Sequence, residues 1–399
     1  MFLEDLKKIV GPSGLSIDEI ELEPLLLDWR GVIRGVALAA VFPKNTQQVS
    51  EIIKLCKKTH ISIVPQGGNT GMCAAATPNN TGKQIILSLS RMNKIKNIDL
   101  ANFSMVVESG CILENIQQAA SEVGLHFPLS LGAEGSCQIG GNLATNAGGI
   151  NVLRYGTARA QVLGLEAVLA DGTVVSNLRS VKKDTAGYDL KQLFIGSEGT
   201  LGIITAATLR LYPKPGDLTT AMVTLKTAND AVNLLAKLRN TLGNKIEAFE
   251  LISNHTLSLL EKHIADTKIP FSEKTNWYVL MDVAIGEGRA HLDNALMEAF
   301  DEKLINDVIV SKNISEARKL WKMRHSIAEA ERAEGKSLKH DISIPSSRMQ
   351  EFLNKGDDFL SKIEPNAKLI VFGHVGDENL HYNVTVPSGS EKNEETQKK

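Results

Sequence analysis

Between Gly373 and Asn383 the chain reads GHVGDENLHYN, with His374 and His381 flanking a turn-forming Gly376-Asp377-Glu378. Imidazole nitrogens are common ligands of divalent cations. A strand at Leu369–Phe372 that enters this turn and returns through Leu380–Val384 lets both rings converge on one ion. The same spacing also suits two histidines that merely bond the backbone. Two cations precede the turn: Arg324, in the run Trp321-Lys322-Met323-Arg324, and Lys339, just ahead of Asp341. Arginine can grip a carboxylate through two parallel N–H groups, whereas lysine offers a compact charge. By composition alone, Arg324 equally suits an exposed helix face shared with Lys319, Lys322, Glu329 and Arg332.

The first half of the chain carries a different kind of signal. An apolar run, Ile61 to Val64, stops at Pro65 and passes into Gly67-Gly68-Asn69-Thr70-Gly71. Glycine tolerates positive φ and has no side chain to hold a ligand away, so such a loop can turn several backbone amides toward one phosphate. A tight turn between strands is the plainer reading. A second cluster runs from Gly132 to Asn142 and on through Asn146-Ala147-Gly148-Gly149, and a third from Gly196 to Gly202. Leu129, Leu131, Ile139, Leu143 and Ile150 interleave with the second cluster, which points to an ordered wall. Three clusters before residue 205 suit an extended ligand with a diphosphate and two flat ends, a dinucleotide. The first strand is not followed by GxGxxG. Gly335-Lys336-Ser337 lacks the Walker glycine because position 330 is Ala330.

Pro65 to Gly71, Gly140-Gly141-Asn142, Asn146 to Gly149 and IGSEGTLGIIT at Ile195–Thr205 occur in collinear order. Together they resemble the FAD-binding domain of the vanillyl-alcohol-oxidase flavoprotein superfamily. GAEGSCQIGGN at Gly132–Asn142 is most similar to D-2-hydroxyglutarate dehydrogenases, with D-lactate dehydrogenases and glycolate oxidases as near relatives. The resemblance implies an α+β fold: a two-lobed FAD-binding domain over residues 1–215, then an α+β cap over 216–387 with a largely antiparallel sheet. It implies FAD against Pro65, Gly67, Gly68, Asn69, Thr70, Gly71, Gly132, Ser136, Gly140, Gly141, Asn142, Thr145, Asn146, Gly148, Glu198, Gly199, Gly202 and Ile204. Covalent members attach flavin through a histidine in the first loop. Asn69 stands at the comparable place here, so non-covalent FAD is expected.

For the cap, the GHxGDxNLHxN pattern implies that His374 and His381 bind a divalent metal, usually zinc, and serve in catalysis. Arg324, Lys339 and Asn383 are then expected to bind a D-2-hydroxyacid, with electrons passing from flavin to an electron-transfer flavoprotein or a quinone. Two departures from the pattern bear on this. Ala328 stands four residues after Arg324, where enzymes of longer substrates tend to have threonine. The chain also ends at Lys399, ahead of a segment that in the family holds an acidic third ligand and a further histidine; Asp377 or Glu378 are the carboxylates at hand. A truncated, catalytically impaired flavin-binding remnant is therefore the alternative to a working dehydrogenase, and a flavin oxidase of alcohols or sugars is a third reading.

These residues need elements to position them. Helices are expected at 17–28, 45–58, 113–123, 228–241, 254–263, 289–304, 314–333 and 347–362. Strands are expected at 35–42, 61–64, 85–89, 105–109, 165–170, 174–175, 203–204 and 207–211, then in the cap at 221–225, 246–251, 278–283, 308–310, 340–344, 369–372 and 380–384. The cap helices are expected on one face of its sheet. The polar stretch 388–399 is expected to be disordered.

At 399 residues, with 43% hydrophobic and 23% charged residues, the chain has the make-up of a soluble two-domain protein. A net charge of −2 offers nothing to nucleic acid. No stretch reaches the ~20 apolar residues of a membrane span, and the N-terminus lacks a secretory pattern. Cys56, Cys73, Cys111 and Cys137 have no metal or disulfide spacing and read as buried free thiols. A cytoplasmic protein is expected, with a homodimer as a compatible assembly.

Overall fold

The computed structural model describes residues 2–284, 286 and 289–385. It divides into two units, Met1–Gly149 with Tyr155–Lys214, and Ile150–Arg154 with Pro215–Lys399. The polar tail expected over 388–399 lies outside the described residues.

In the first unit, the helix Thr46–Thr59 starts where the Asn45 carboxamide accepts from the Gln48 amide at 2.9 Å. It ends at His60, in the left-handed region at φ 55°. Its buried Val49, Ile52, Ile53 and Cys56 meet Ala39, Val41, Ile85 and Leu87 in one cluster. Those residues come from Ala39–Val41 and Gln84–Ser88, which pair in parallel, and Ser62–Gln66 pairs in parallel with Gln84–Ser88 on its other side. The second sheet is antiparallel, in the order Ile95–Asp99, Ser104–Glu108, Ile203–Arg210, Val162–Val168, Val174–Asn177. The helix Leu113–Glu122 covers it through Leu113, Ile116 and Ala120.

Local chemistry explains where this unit departs from expectation. Residues 203–211 form one strand, Ile203–Arg210, with irregularities at Ile204/Ala206 and Thr208/Leu209. A bulge shifts the inward face without ending the ladder, so the pattern looks broken when the strand is continuous. The strand expected over 35–42 shortens to Ala39–Val41. The second glycine cluster is not all loop, for Ile139–Ala144 is a short helix. The helix Phe2–Val10 and the strand Ile95–Asp99 add to the expected set.

The second unit is built on one large sheet. Asp307–Val310, Leu218–Leu225, Trp277–Ala284, Ile246–Ser253, Lys368–His374, Asn379–Thr385 and Ser337–Leu338 lie side by side, and Asp341–Ser343 also pairs with Asn379–Thr385. Each of these pairings is antiparallel. Strand alternation sends Phe249, Leu251, Val279, Met281 and Val371 to one face, under the helices Ala228–Leu242, Arg289–Asp301 and Met349–Ile363. It sends Ile252, Tyr278, Leu280, Ile370 and Phe372 to the other, under Asn254–His263, Ile314–His325 and Ile327–Glu334. Helices therefore cover both faces, not one. Strands such as Tyr278–Val283 are apolar at nearly every position because both of their sides are buried. Each fully buried Leu, Ile, Val, Phe or Met contributes roughly 2 kcal/mol of transfer free energy.

The long helix expected over 314–333 is two helices that meet at Ser326, which closes Ile314–His325 and opens Ile327–Glu334. Ser326 donates its amide to Lys322 and receives that of Ala330 at its carbonyl, each at 3.0 Å. The apolar period runs on through the joint, which hides it in the sequence. Of the cysteines, all four are free and three are buried, but Cys73 is exposed. It follows the glycine loop in a stretch with little apolar surface to cover it.

Candidate active site

The three glycine clusters converge within the first unit. A Cβ at Gly68 would lie 2.2 Å from the Ser136 carbonyl oxygen, and one at Gly67 3.6 Å from the Gly141 nitrogen. A Cβ at Gly199 would lie 2.8 Å from Cγ of Pro65. The first loop thus packs on both of the others. The third is tied to the second where Glu198 donates its amide to Ala144 at 2.9 Å and Gly196 donates to Leu143 at 3.1 Å.

Asn69, Asn146 and Glu198 take positive φ of 51°, 50° and 51°. Asparagine adopts this region more readily than most residues. Side-chain bonds hold the two asparagines: Asn69 donates to the Leu27 carbonyl at 2.9 Å, and Asn146 accepts from the Arg159 amide at 3.0 Å. Among the described residues, no hydrogen bond engages the amides of Gly67 to Gly71. The buried Ser109 Oγ and Gln138 Oε1 also have no partner there. Unspent donors and acceptors beside glycines that admit no Cβ fit a dinucleotide phosphate.

Not every residue expected to touch the cofactor has that character. The Thr145 hydroxyl donates to Gly141 at 3.0 Å, and Ile204 is part of the apolar core. At Gly132 a Cβ would meet nothing within 4 Å, while one at Gly202 would lie 2.9 Å from the Val168 carbonyl.

In the second unit the expected residues gather on the sheet face covered by Ile314–His325 and Ile327–Glu334. His374 ends its strand and is followed by a single turn, Val375–Asp377, with Glu378 left-handed at φ 67°. Its Nδ1 lies 3.2 Å from Asp377 Oδ2. His381, on the returning strand, has Nδ1 3.5 Å from Asp341 Oδ1. The two rings are 6.2 Å apart at 79°. A carboxylate on Nδ1 leaves Nε2 as the donor nitrogen, the usual arrangement around histidine metal ligands. The pair fits a divalent cation as two ligands. Among the described residues no group of three His, Cys, Asp or Glu can hold one. Glu378 accepts the amide of Ser346 at 3.0 Å, so of the two carboxylates proposed from the sequence only Asp377 meets His374.

Arg324 is not an exposed helix charge. Its side chain is 12% accessible and donates Nε to Glu250 Oε2 at 2.5 Å. Its guanidinium lies 4.7 Å from the centre of the Phe372 ring. Burial alone would push the Glu250 carboxyl up, but the charges of Arg324 and His374 hold it below the usual carboxylate range. His374 is moved the other way: burial opposes its charge, yet Glu250 and Asp377 raise its pKa. His381 is lowered by burial, with Arg324 and His374 adding to the effect.

Beside this cluster sits a second one. The Glu331 side chain is 1% accessible and its Oε2 accepts from Lys339 Nζ at 3.1 Å. The same oxygen accepts from Asn383 Nδ2, and the Ser337 hydroxyl donates to Oε1 at 2.5 Å. Asn383 Oδ1 accepts from the His340 amide at 3.1 Å. His381 and Asn383 are two apart on one strand, so the clusters are neighbours, about 7 Å apart along the chain. Ala328 is exposed and brings no hydroxyl to either. Neither Glu250 nor Glu331 is visible to sequence reasoning: each is one carboxylate inside an otherwise regular strand or helix.

A family model described as "FAD binding domain" matches residues 37–177, and one described as "FAD linked oxidases, C-terminal domain" matches residues 214–399. The mitochondrial D-2-hydroxyglutarate dehydrogenase of Bos taurus is 40% identical over 388 residues, covering 96% of this chain and 70% of its own. The Arabidopsis thaliana enzyme of the same name is 36% identical, covering 97% and 69%. The D-2-hydroxyglutarate–pyruvate transhydrogenase of Saccharomyces cerevisiae is 33% identical, covering 94% and 78%. Among solved structures, p-cresol methylhydroxylase superposes with a TM-score of 0.77 at 19% identity, over 99% of this chain and 84% of its own. An alkyldihydroxyacetonephosphate synthase gives 0.77 at 16%, over 99% and 78%. At those identities the structural likeness establishes the fold.

Proposed function

Because this chain belongs to the FAD-dependent D-2-hydroxyacid dehydrogenase family, we propose that it oxidises a small D-2-hydroxyacid, of the D-2-hydroxyglutarate, D-malate or D-lactate class, to the 2-oxoacid. The observation that carries this reading is the pairing of Arg324 with the two histidines. A buried guanidinium for a carboxylate and two imidazoles for the neighbouring hydroxyl share one sheet face. When bound, non-covalent FAD supplies the hydride acceptor at N5, and a divalent metal such as zinc polarises the substrate oxygens.

The chain's own residues bind and orient. With Nε given to Glu250, Arg324 has Nη1 and Nη2 for the carboxylate of the substrate. The lowered pKa of His381 favours the neutral ring, the form that donates a lone pair. Lys339 keeps two N–H bonds beyond the one to Glu331, and is 41% accessible, as a partner for a second carboxylate. With Ala328 in place of a hydroxyl, that second carboxylate has fewer donors, which favours the shorter acids. Resemblance supports an electron-transfer flavoprotein or a quinone as the electron acceptor.

The test is anaerobic reduction of the flavin by D-malate, D-2-hydroxyglutarate, D-lactate and glycolate, with and without EDTA. Bleaching by at least one D-acid, slowed by EDTA, is expected, with a half-saturating concentration about 100-fold higher in Arg324→Ala, on the order of 2.7 kcal/mol. A flavin that none of the four reduces overturns the reading.

A further inference from the structure

We propose that Glu250 is a positioning residue of the acid-binding site, acting through Arg324 and holding it in register with His374. This rests on the reading that Arg324 grips the substrate carboxylate. Glu250 lies inside the strand Ile246–Ser253, and its side chain is fully buried. Met222, Ile252 and Leu280 are apolar neighbours on its sheet face. A carboxylate in such a place is costly to desolvate and is tolerated when its oxygens are matched by charge.

The two oxygens are divided. Oε2 accepts from Arg324 Nε at 2.5 Å. Oε1 lies 3.3 Å from His374 Nε2 and accepts no hydrogen bond among the described residues. Glu250 and His374 are direct partners across two antiparallel strands. One rigid carboxylate therefore stands between the cation and the histidine.

The consequence is geometric. Guanidinium has three edges that could meet a carboxylate, and rotation about its long side chain would blur which one does. Glu250 takes the Nε edge and Phe372 takes a face of the plane. What is left is the Nη1–Nη2 fork, in one orientation and at a fixed separation from His374. An ion pair that served stability alone would leave ligand affinity unchanged at equal folding.

The experiment uses the FAD-loaded full chain and oxalate as the probe, its binding read by the shift it causes in flavin absorbance without turnover. Glu250→Gln keeps the side chain's shape and an acceptor but removes the charge. It is expected to weaken oxalate binding at least tenfold in the wild-type background and less than twofold when Arg324→Gln is already present. Equal effects in the two backgrounds, or unchanged oxalate binding, overturn the proposal. So does a Glu250→Gln protein that loses bound metal yet binds oxalate like the wild type, since that would make Glu250 a ligand. If Glu250→Gln does not retain FAD, Glu250→Asp carries the test: it keeps the charge, shortens the reach, and is expected to weaken oxalate at least threefold. Wild-type flavin that no D-2-hydroxyacid reduces sinks the functional reading alone, because oxalate titration needs no turnover.

Discussion

Lys339 and Asn383 share one oxygen, the buried Oε2 of Glu331, each at 3.1 Å. Two residues expected to meet the substrate are thus organised by an acid carried on a helix of the same sheet face. Glu331→Ala would strand the Asn383 amide and the Ser337 hydroxyl without their partner. Because Asn383 is 4% exposed, the loss is expected to cost about 2–3 kcal/mol. Urea unfolding of the FAD-loaded protein measures it, and a change below ~0.5 kcal/mol would show that Glu331 is not holding them.

The contrast between these acids and the glycine loops shows what could be read beforehand. The loops and the GHVGDENLHYN turn are local patterns whose chemistry lies within a dozen residues. Glu250 meets Arg324 across 74 positions and Glu331 meets Asn383 across 52, so nothing adjacent in the sequence marks either. The same limit hid the second helical layer: an apolar strand does not say how many of its faces are covered. Ser326 breaks a helix whose apolar period continues through the joint. Asp377 and Glu378 look equivalent in sequence, and only the turn sends one to His374 and the other to Ser346.

Steric room separates two glycines of the first loop. A Cβ at Gly68 would lie 2.2 Å from a backbone oxygen, whereas one at Gly71 would meet nothing within 4 Å. Gly68→Ala must part the first and second loops and is expected to abolish FAD retention through gel filtration. Gly71→Ala is expected to keep flavin at the wild-type ratio. Equal retention by the two variants would place the cofactor elsewhere.

The thiols divide by environment. Burial pushes Cys56 up to about 12 and Cys111 up to about 11, and raises Cys137 as well, whereas Cys73 is exposed. The thiolate is the reactive form. Titration with an aromatic disulfide at pH 8 is therefore expected to find one fast thiol in the native protein and four in denaturant. Cys73→Ser removes the fast one; a second fast thiol in native protein would contradict the packing around Ile52 and Leu113.

His374 gives the site a pH signature once metal is stripped. Burial lowers its pKa, but Glu250 and Asp377 together raise it above the ordinary histidine value. A raised folded-state pKa means that the charged ring stabilises the fold fully below its unfolded pKa, about 6.5. That contribution is lost as pH climbs through the folded value. In EDTA-treated protein, the unfolding free energy of wild type minus His374→Ala is expected to be larger at pH 6 than at pH 9. His374→Ala is also expected to keep its flavin while losing metal-dependent reduction. A stability difference that is flat or rises with pH would mean that Glu250 and Asp377 do not favour the charged ring, and loss of flavin together with activity would mark His374 as structural.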